Sequence, residues 1–135
     1  SLNFKNDGIQ IYDFENKKLQ VKPFEMEGIL SSILSVKGYN VFDGQVLIDA
    51  ELDQGRTIIK LQEDGSGKAV FRRQTNFGNL MYFKNQKNEL EMIEIGDIQL
   101  PRSRSKSVFV RHSGLDKFTI KTLFESVYYN NPCFN

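Results

Sequence analysis

Apolar and polar residues alternate along most of the chain in short runs that are separated by turn-forming residues. The first two runs, 8–13 and 18–22, flank the turn-type sequence 14–17 and predict a β-hairpin with one face toward solvent. Further runs predict strands at 46–52, 57–62, 68–73, 80–83, 89–95 and 108–111. Because strands joined by tight turns pair antiparallel, this pattern predicts an antiparallel meander.

Two segments have a different spacing. Residues 27–36 carry the apolar pairs Ile29–Leu30 and Ile33–Leu34 four positions apart, a pattern that leaves helix and strand equally open. Near the C-terminus, Ser113 and Asp116 resemble a capping box, and the apolar residues after them recur at roughly helical spacing, which predicts a helix over 115–129. The predicted fold class is therefore α+β, with an antiparallel β-sheet meander packed on one face against a C-terminal α-helix.

Length and composition fit one domain over residues 1–135, which we expect to have been excised from a larger protein because the chain starts at Ser1. The net charge of +1 excludes a global attraction to nucleic acid or membrane, and no apolar run approaches the length of a membrane span. A lone cysteine, Cys133, favours a reducing compartment. We expect a cytoplasmic monomer without cofactor or metal.

The titratable residues suggest three kinds of chemistry. A single histidine, His112, is a candidate acid, base or ligand, although one isolated histidine more often has a structural role. Acidic residues on the predicted strand 89–95 and at its exit include Glu91 and Asp97, which suit either a solvent-facing sheet surface or acceptors for a ligand's N–H groups. Basic residues cluster in two places that suit phosphates, and the second is equally typical of a solvated loop: Arg72 and Arg73, then Arg102, Arg104 and Lys106.

Three aromatic residues, Phe24, Tyr39 and Phe77, lie beside turn formers or a proline, where a ring can project from the scaffold. Two such rings can sandwich a flat base, and a cationic base gains further from the ring faces. The alternative for each ring is a place at the edge of the core.

The run from Glu27 to Phe42 combines a start at Gly28-Ile29-Leu30, an alternating strand and the sequence Gly38-Tyr39-Asn40-Val41-Phe42. It resembles the early hairpin region of cap-binding domains in the polymerases of segmented negative-strand RNA viruses, such as the influenza cap-binding subunit and the bunyavirus L proteins. The resemblance implies binding of the methylated guanosine cap of host mRNA for cap-snatching, by a non-catalytic module that works with other domains of an RNA-dependent RNA polymerase.

In that interpretation Phe24 and Tyr39 stack on the cap base, Glu91 or Asp97 accepts hydrogen bonds from the base edge, and the basic residues contact the phosphates. The resemblance implies no catalytic residue in this domain. Two other hypotheses stay open from the residues alone. One is a protein-interaction domain, for instance a bacterial toxin-neutralising or adaptor protein that uses a free sheet face. The other is a small hydrolase or transferase built on His112 and the acidic strand.

Overall fold

A computed structural model of the chain describes residues 2–5, 8–22, 26–27, 33–75 and 78–127. Every regular element in these residues is a β-strand. The bounds are β1 Leu2–Lys5, β2 Gly8–Asp13, β3 Lys18–Lys22, β4 Met26–Glu27, β5 Ile33–Phe42, β6 Gln45–Leu52, β7 Gly55–Leu61, β8 Gly67–Arg72, β9 Asn79–Lys84, β10 Leu90–Leu100, β11 Arg104–Gly114 and β12 Lys117–Val127. The described part of the protein is therefore all-β.

The strands form three sheets with the orders β1-β2-β3, β4-β8-β7-β6-β5 and β12-β11-β10-β9. Pairing is antiparallel throughout the first and third sheets and between β5, β6 and β7, which confirms the predicted antiparallel architecture. The short strand β4 pairs parallel with β8. The chain divides into two compact units, Ser1–Val70 and Phe71–Asn135.

In the first unit, the predicted hairpin is confirmed with the bounds read from the sequence, and Asp13 closes its turn by accepting hydrogen bonds from Glu15 N and Asn16 N. The hairpin of β5 and β6 turns at Asp43 and Gly44, whose φ angles are 50° and 73°. Two residues with positive φ define a type I′ turn, and Asp-Gly is a preferred sequence for it. Buried apolar residues of this unit lie mainly on β6 and β7: Leu47, Ile48, Ala50, Leu52, Ile58 and Ile59.

In the second unit, β10 and β11 pair along most of their length, from Met92↔His112 to Leu100↔Arg104. Most of their buried side chains share one side of the sheet because alternate residues of a strand point the same way. This core side carries Met92, Glu94, Val108, Val110 and His112.

The C-terminal helix predicted over 115–129 is wrong. Residues 117–127 form β12, which pairs antiparallel with β11, while 128 and 129 lie outside the described residues. Leu115 and Asp116 make a tight turn directly after β11, so the next segment folds back along that strand. The α+β class and the packing of the sheet against a helix are corrected accordingly.

The sequence of β12 contains the reason for this outcome. From 117 to 121 polar and apolar residues alternate with period two, and Thr119, Ile120 and Thr122 have higher strand than helix propensity. Phe118 and Ile120 are two positions apart, which puts them on opposite sides of a helix but on the same side of a strand.

The ambiguous segment 27–36 is a strand wherever the structure describes it. Glu27 ends β4, Ile33 begins β5, and residues 28–32 lie outside the described part.

Two glycines, Gly78 and Gly96, allow a close backbone approach in the second unit. A Cβ on Gly96 would lie 2.6 Å from the Cα of Gly78, and a Cβ on Gly78 would lie 2.8 Å from the backbone oxygen of Ile95. Because both obstacles are backbone atoms, neither position has room for a side chain.

Candidate functional site

A buried polar cluster centred on Glu94 lies on the core side of the second unit. The Glu94 carboxylate accepts hydrogen bonds from Arg73 Nε at 3.1 Å, from Gln74 N at 2.9 Å and from Thr75 N and Oγ1 at 3.2 and 2.8 Å. His112 Nε2 lies 2.5 Å from the second carboxylate oxygen. Glu94 and His112 are fully buried, so solvent does not reach this cluster.

These donors keep Glu94 ionised inside the protein. Burial alone raises the pKa of the carboxyl, but the hydrogen bonds from His112, Gln74 and Thr75 favour the charged form and together lower its pKa to about 2. The Arg73 guanidinium adds a buried ion pair and also donates to the backbone oxygen of Gly78 at 3.0 Å.

His112 lies in the interior of the second unit, where both sides of its ring are packed. Since an ionised carboxylate only accepts hydrogen bonds, His112 Nε2 carries the proton toward Glu94. The other ring nitrogen, Nδ1, is buried and has no hydrogen-bond partner among the described residues, and the ring contacts Phe71 and Phe118 at centroid distances of 5.9 and 5.6 Å. A substrate in solvent has no access to this imidazole, so the geometry gives no support to the hydrolase or transferase hypothesis.

Glu91, the first choice for the cap base edge, is already engaged. Its Oε1 accepts from Arg111 Nε at 2.6 Å and its Oε2 from Asn85 Nδ2 at 2.7 Å. The hydrogen bonds from Arg111 and then Asn85 lower the pKa of Glu91, and the Arg111 guanidinium lies 5.4 Å from the centre of the Phe83 ring. A base edge would have to displace these donors.

Asp97, the second choice, is exposed on β10 and pairs across the sheet with Ser107 of β11. The Ser107 hydroxyl donates to Asp97 Oδ1 at 2.6 Å.

The first predicted phosphate group has structural roles. Arg72 forms an ion pair with Asp116 at 3.1 Å, and its backbone N–H donates to Leu115 O. Arg73 is buried against Glu94, as described above. Both arginines therefore hold loops of the second unit in place.

The second predicted phosphate group lies at the hairpin of β10 and β11. Arg104 and Lys106 point to the same side of β11 and share Glu125 of β12, at 3.3 and 4.0 Å. Arg102 lies in the turn with a φ of 64° and is exposed.

The aromatic pair is only half described. Tyr39 on β5 is 53% exposed, whereas Phe24 and Phe77 lie outside the described residues. Tyr39 belongs to the first unit and the predicted acids and cations to the second. Neither unit by itself assembles the predicted cap site.

One feature of the second unit was not predicted from the sequence. β12 is the last strand of its sheet, and residues 117–125 are all exposed, including Phe118, Ile120, Leu123 and Phe124. The period-two alternation of 117–121 is the signal that identifies it as a strand, although only the structure shows that it lies at an edge.

No family model, curated protein or solved structure matched the chain in comparison with known proteins. No group of three or more His, Cys, Asp or Glu side chains suited to a metal ion occurs among the described residues. In the same residues, no helix has the length and apolar character needed to cross a membrane.

Proposed function

We propose that this chain is a non-catalytic protein-interaction domain whose second unit accepts an extended segment of another protein along β12. The observation that carries this proposal is the open, apolar edge of the four-stranded sheet. β12 is hydrogen-bonded to β11 on one side and ends the sheet on the other, and its side chains from 117 to 125 are exposed. An edge strand presents unpaired N–H and C=O groups that a further strand can use.

The core side of the sheet continues onto this edge. Phe118 lies opposite His112 and Ile120 opposite Val110, and both of these β11 residues are fully buried. Directly opposed residues project from the same face of a sheet. Phe118 and Ile120 are therefore the uncovered end of the core side of this sheet, and an added strand would cover them.

The exposed charges on β12 indicate the chemistry of the partner. Lys117 and Lys121 lie on this edge strand, on the side opposite to Phe118 and Ile120. A segment that alternates apolar residues, set beside Phe118 and Ile120, with acidic residues, set beside the lysines, complements both sides of β12.

Selection from a displayed library of random peptides tests this function and requires no identified partner. We expect selection on the chain to enrich extended peptides that alternate apolar and acidic residues. Their binding should fall about tenfold or more with Lys121→Glu, which reverses the charge beside the acidic residues, and with Ile120→Lys where circular dichroism shows that this variant folds. The matched control is Val41→Lys, which places the same charge at an exposed apolar position on β5. Failure to enrich such peptides, or equal binding to the β12 variants and the control, contradicts the proposal.

Binding of the methylated guanosine cap is a second candidate, supported by the exposed ring of Tyr39 on the run that resembles viral cap-binding domains. A calorimetric titration compares methylated GTP with GTP on the unmodified chain, Tyr39→Ala and Phe24→Ala. Selective binding of the methylated nucleotide that both substitutions abolish supports it. Equal affinity for the two nucleotides, or no binding at millimolar concentration, contradicts it.

A further inference from the structure

The edge strand β5 of the first unit carries a second open surface, distinct from β12. β5 ends the five-stranded sheet, and Tyr39, Asn40 and Val41 are all exposed. We propose that two copies of this chain pair antiparallel along β5, with Tyr39 of each copy opposite Val41 of the other. The two sheets then become one continuous sheet across a twofold axis at Asn40.

The turn at Asp43 and Gly44 determines which backbone groups face this edge. In a type I′ turn the N–H of Gln45 donates to the C=O of Phe42, so Phe42 and Gln45 form a hydrogen-bonded pair. Hydrogen-bonded and non-hydrogen-bonded pairs alternate along an antiparallel ladder. Asn40 therefore bonds to β6, while Tyr39 and Val41 direct their N–H and C=O groups away from β6 and toward the open edge.

This alternation selects the register of the two copies. When Tyr39 faces Val41 of the second copy, the two residues form a hydrogen-bonded pair. The twofold symmetry produces the same pair a second time, between Val41 and Tyr39 of the second copy. Asn40 then faces Asn40 of the second copy as a non-hydrogen-bonded pair, in which the side chains are closest. The ladder is regular here because the irregularity of β5 lies between Val36 and Gly38.

Side chains favour the same register. Tyr39 and Val41 lie opposite Ile48 and Val46 on one side of the sheet, so an aromatic and a β-branched residue meet beside existing apolar side chains. Shifting the copies to Tyr39 opposite Tyr39 pairs Val41 with Lys37, which lies at the irregularity of β5, and shifting them to Val41 opposite Val41 pairs Tyr39 with Asp43 in the turn. Only the proposed register forms two hydrogen-bonded pairs between residues of the regular part of β5.

The contact is short, so we expect a weak dimer rather than the monomer predicted from the sequence. Interfaces that bury little area lie at the transient end of protein association. The pairing uses β5, whereas the partner binding proposed above uses β12. A failure of either proposal leaves the other standing.

Disulfide cross-linking tests the proposed register. In a Cys133→Ser background, Asn40→Cys places two thiols across the axis at a separation that suits a disulfide. We expect Asn40→Cys to form covalent dimers about tenfold faster than Gln54→Cys, an exposed position in the turn between β6 and β7. Val41→Cys is the register control and should be slow, because its two copies are offset along the strands. The proposal is overturned if Asn40→Cys forms covalent dimers no faster than Gln54→Cys, or if Val41→Cys forms them faster than Asn40→Cys.

Sedimentation of the unmodified chain measures the monomer–dimer equilibrium without cross-linking. We expect a monomer–dimer equilibrium between micromolar and several hundred micromolar, and a dissociation constant about tenfold higher for Val41→Lys. Circular dichroism of Val41→Lys should match that of the unmodified chain, since residue 41 is exposed. A monomer over the whole concentration range overturns the dimer.

Discussion

At the scale of single residues, the second unit depends on the buried negative charge of Glu94. Glu94 is stabilised by donors from the segment 73–75 and from His112, and an ionised carboxylate with several such donors can stay charged in the interior. A buried ion pair of this kind is costly to break, because removing one partner leaves the other charge without compensation. The residues that resemble an active site are thus the ones that hold the second unit together.

Because the pKa of Glu94 is low, the free energy of unfolding depends on pH in the acid range. Its carboxyl has a pKa of about 2 in the folded protein against 4.5 ordinarily, so the unfolded chain binds this proton first as the pH falls. The contribution of the Glu94 carboxylate to the free energy of unfolding is present above pH 4.5. It is lost between pH 4.5 and pH 2, by roughly 3 kcal/mol in all. Urea unfolding at a series of pH values measures it. Thr75→Val, which removes one donor to Glu94, should make the dependence shallower, and an unchanged slope in this variant contradicts the assignment.

Gly96 is expected to tolerate no side chain. Gly96→Ala brings a Cβ against the Cα of Gly78, and the backbone has to move to relieve the overlap. Overpacking of this kind costs about 1–3 kcal/mol. The matched control is Gly38→Ala on β5, where a Cβ meets no atom of the described part of the chain within 4 Å. Thermal unfolding should show a clear loss for Gly96→Ala and a small change for Gly38→Ala, and equal effects would refute the close-packing argument.

At the scale of elements, hairpins and their turns could be predicted from the sequence because both signals are local. Strand alternation and turn residues located β2, β3 and most strands from β6 to β11. The error at β12 arose from weighting apolar spacing over 118–128 above the strict alternation of 117–121 and the tight turn at Leu115 and Asp116. Sheet edges and burial depend on contacts distant in sequence, so the roles of Glu94 and Glu91 did not follow from pattern.

The turn between β9 and β10 depends on one side chain. Asn85 Oδ1 accepts from Lys87 N and from Glu89 N, both at 2.9 Å, while its Nδ2 donates to Glu91. Asn85→Ala removes all three bonds and should destabilise the protein by about 1–3 kcal/mol, because Glu91 is buried and loses a donor. Gln86→Ala, at an exposed position of the same turn, is the control. Chemical denaturation of both variants should separate them, and a loss in the control as large as that in Asn85→Ala would argue against this role.

At the scale of the whole molecule, a net charge of +1 gives two copies of the chain little mutual repulsion. The exposed apolar residues on β5 and β12 therefore depend on nearby charges, such as Lys117 and Lys121, to oppose pairing between chains. Acidic and basic side chains are instead used locally, as in the pairs of Arg72 with Asp116 and Arg104 with Glu125.

Charge added to β12 should improve solubility on heating. The double variant Leu123→Lys and Phe124→Lys raises the net charge from +1 to +3 and places lysines on an edge strand, where they oppose strand pairing between chains. Light scattering during a temperature ramp should show aggregation at a higher temperature, with little change in the unfolding midpoint measured by circular dichroism. Aggregation at the same temperature as the unmodified chain would show that β12 is not the aggregating edge.

The attachment of Gln74 and Thr75 to Glu94 has a consequence for how the protein opens. These residues follow β8 and belong to no strand, yet their backbone amides are bound to a buried carboxylate on β10. If these residues are released, the buried Glu94 carboxylate loses the hydrogen bonds that compensate its charge. Their hydrogens should therefore exchange with deuterated water as slowly as those of the central strands, whereas amides in the exposed turn at Gln86 exchange quickly. This connecting segment thus opens together with the core and not before it.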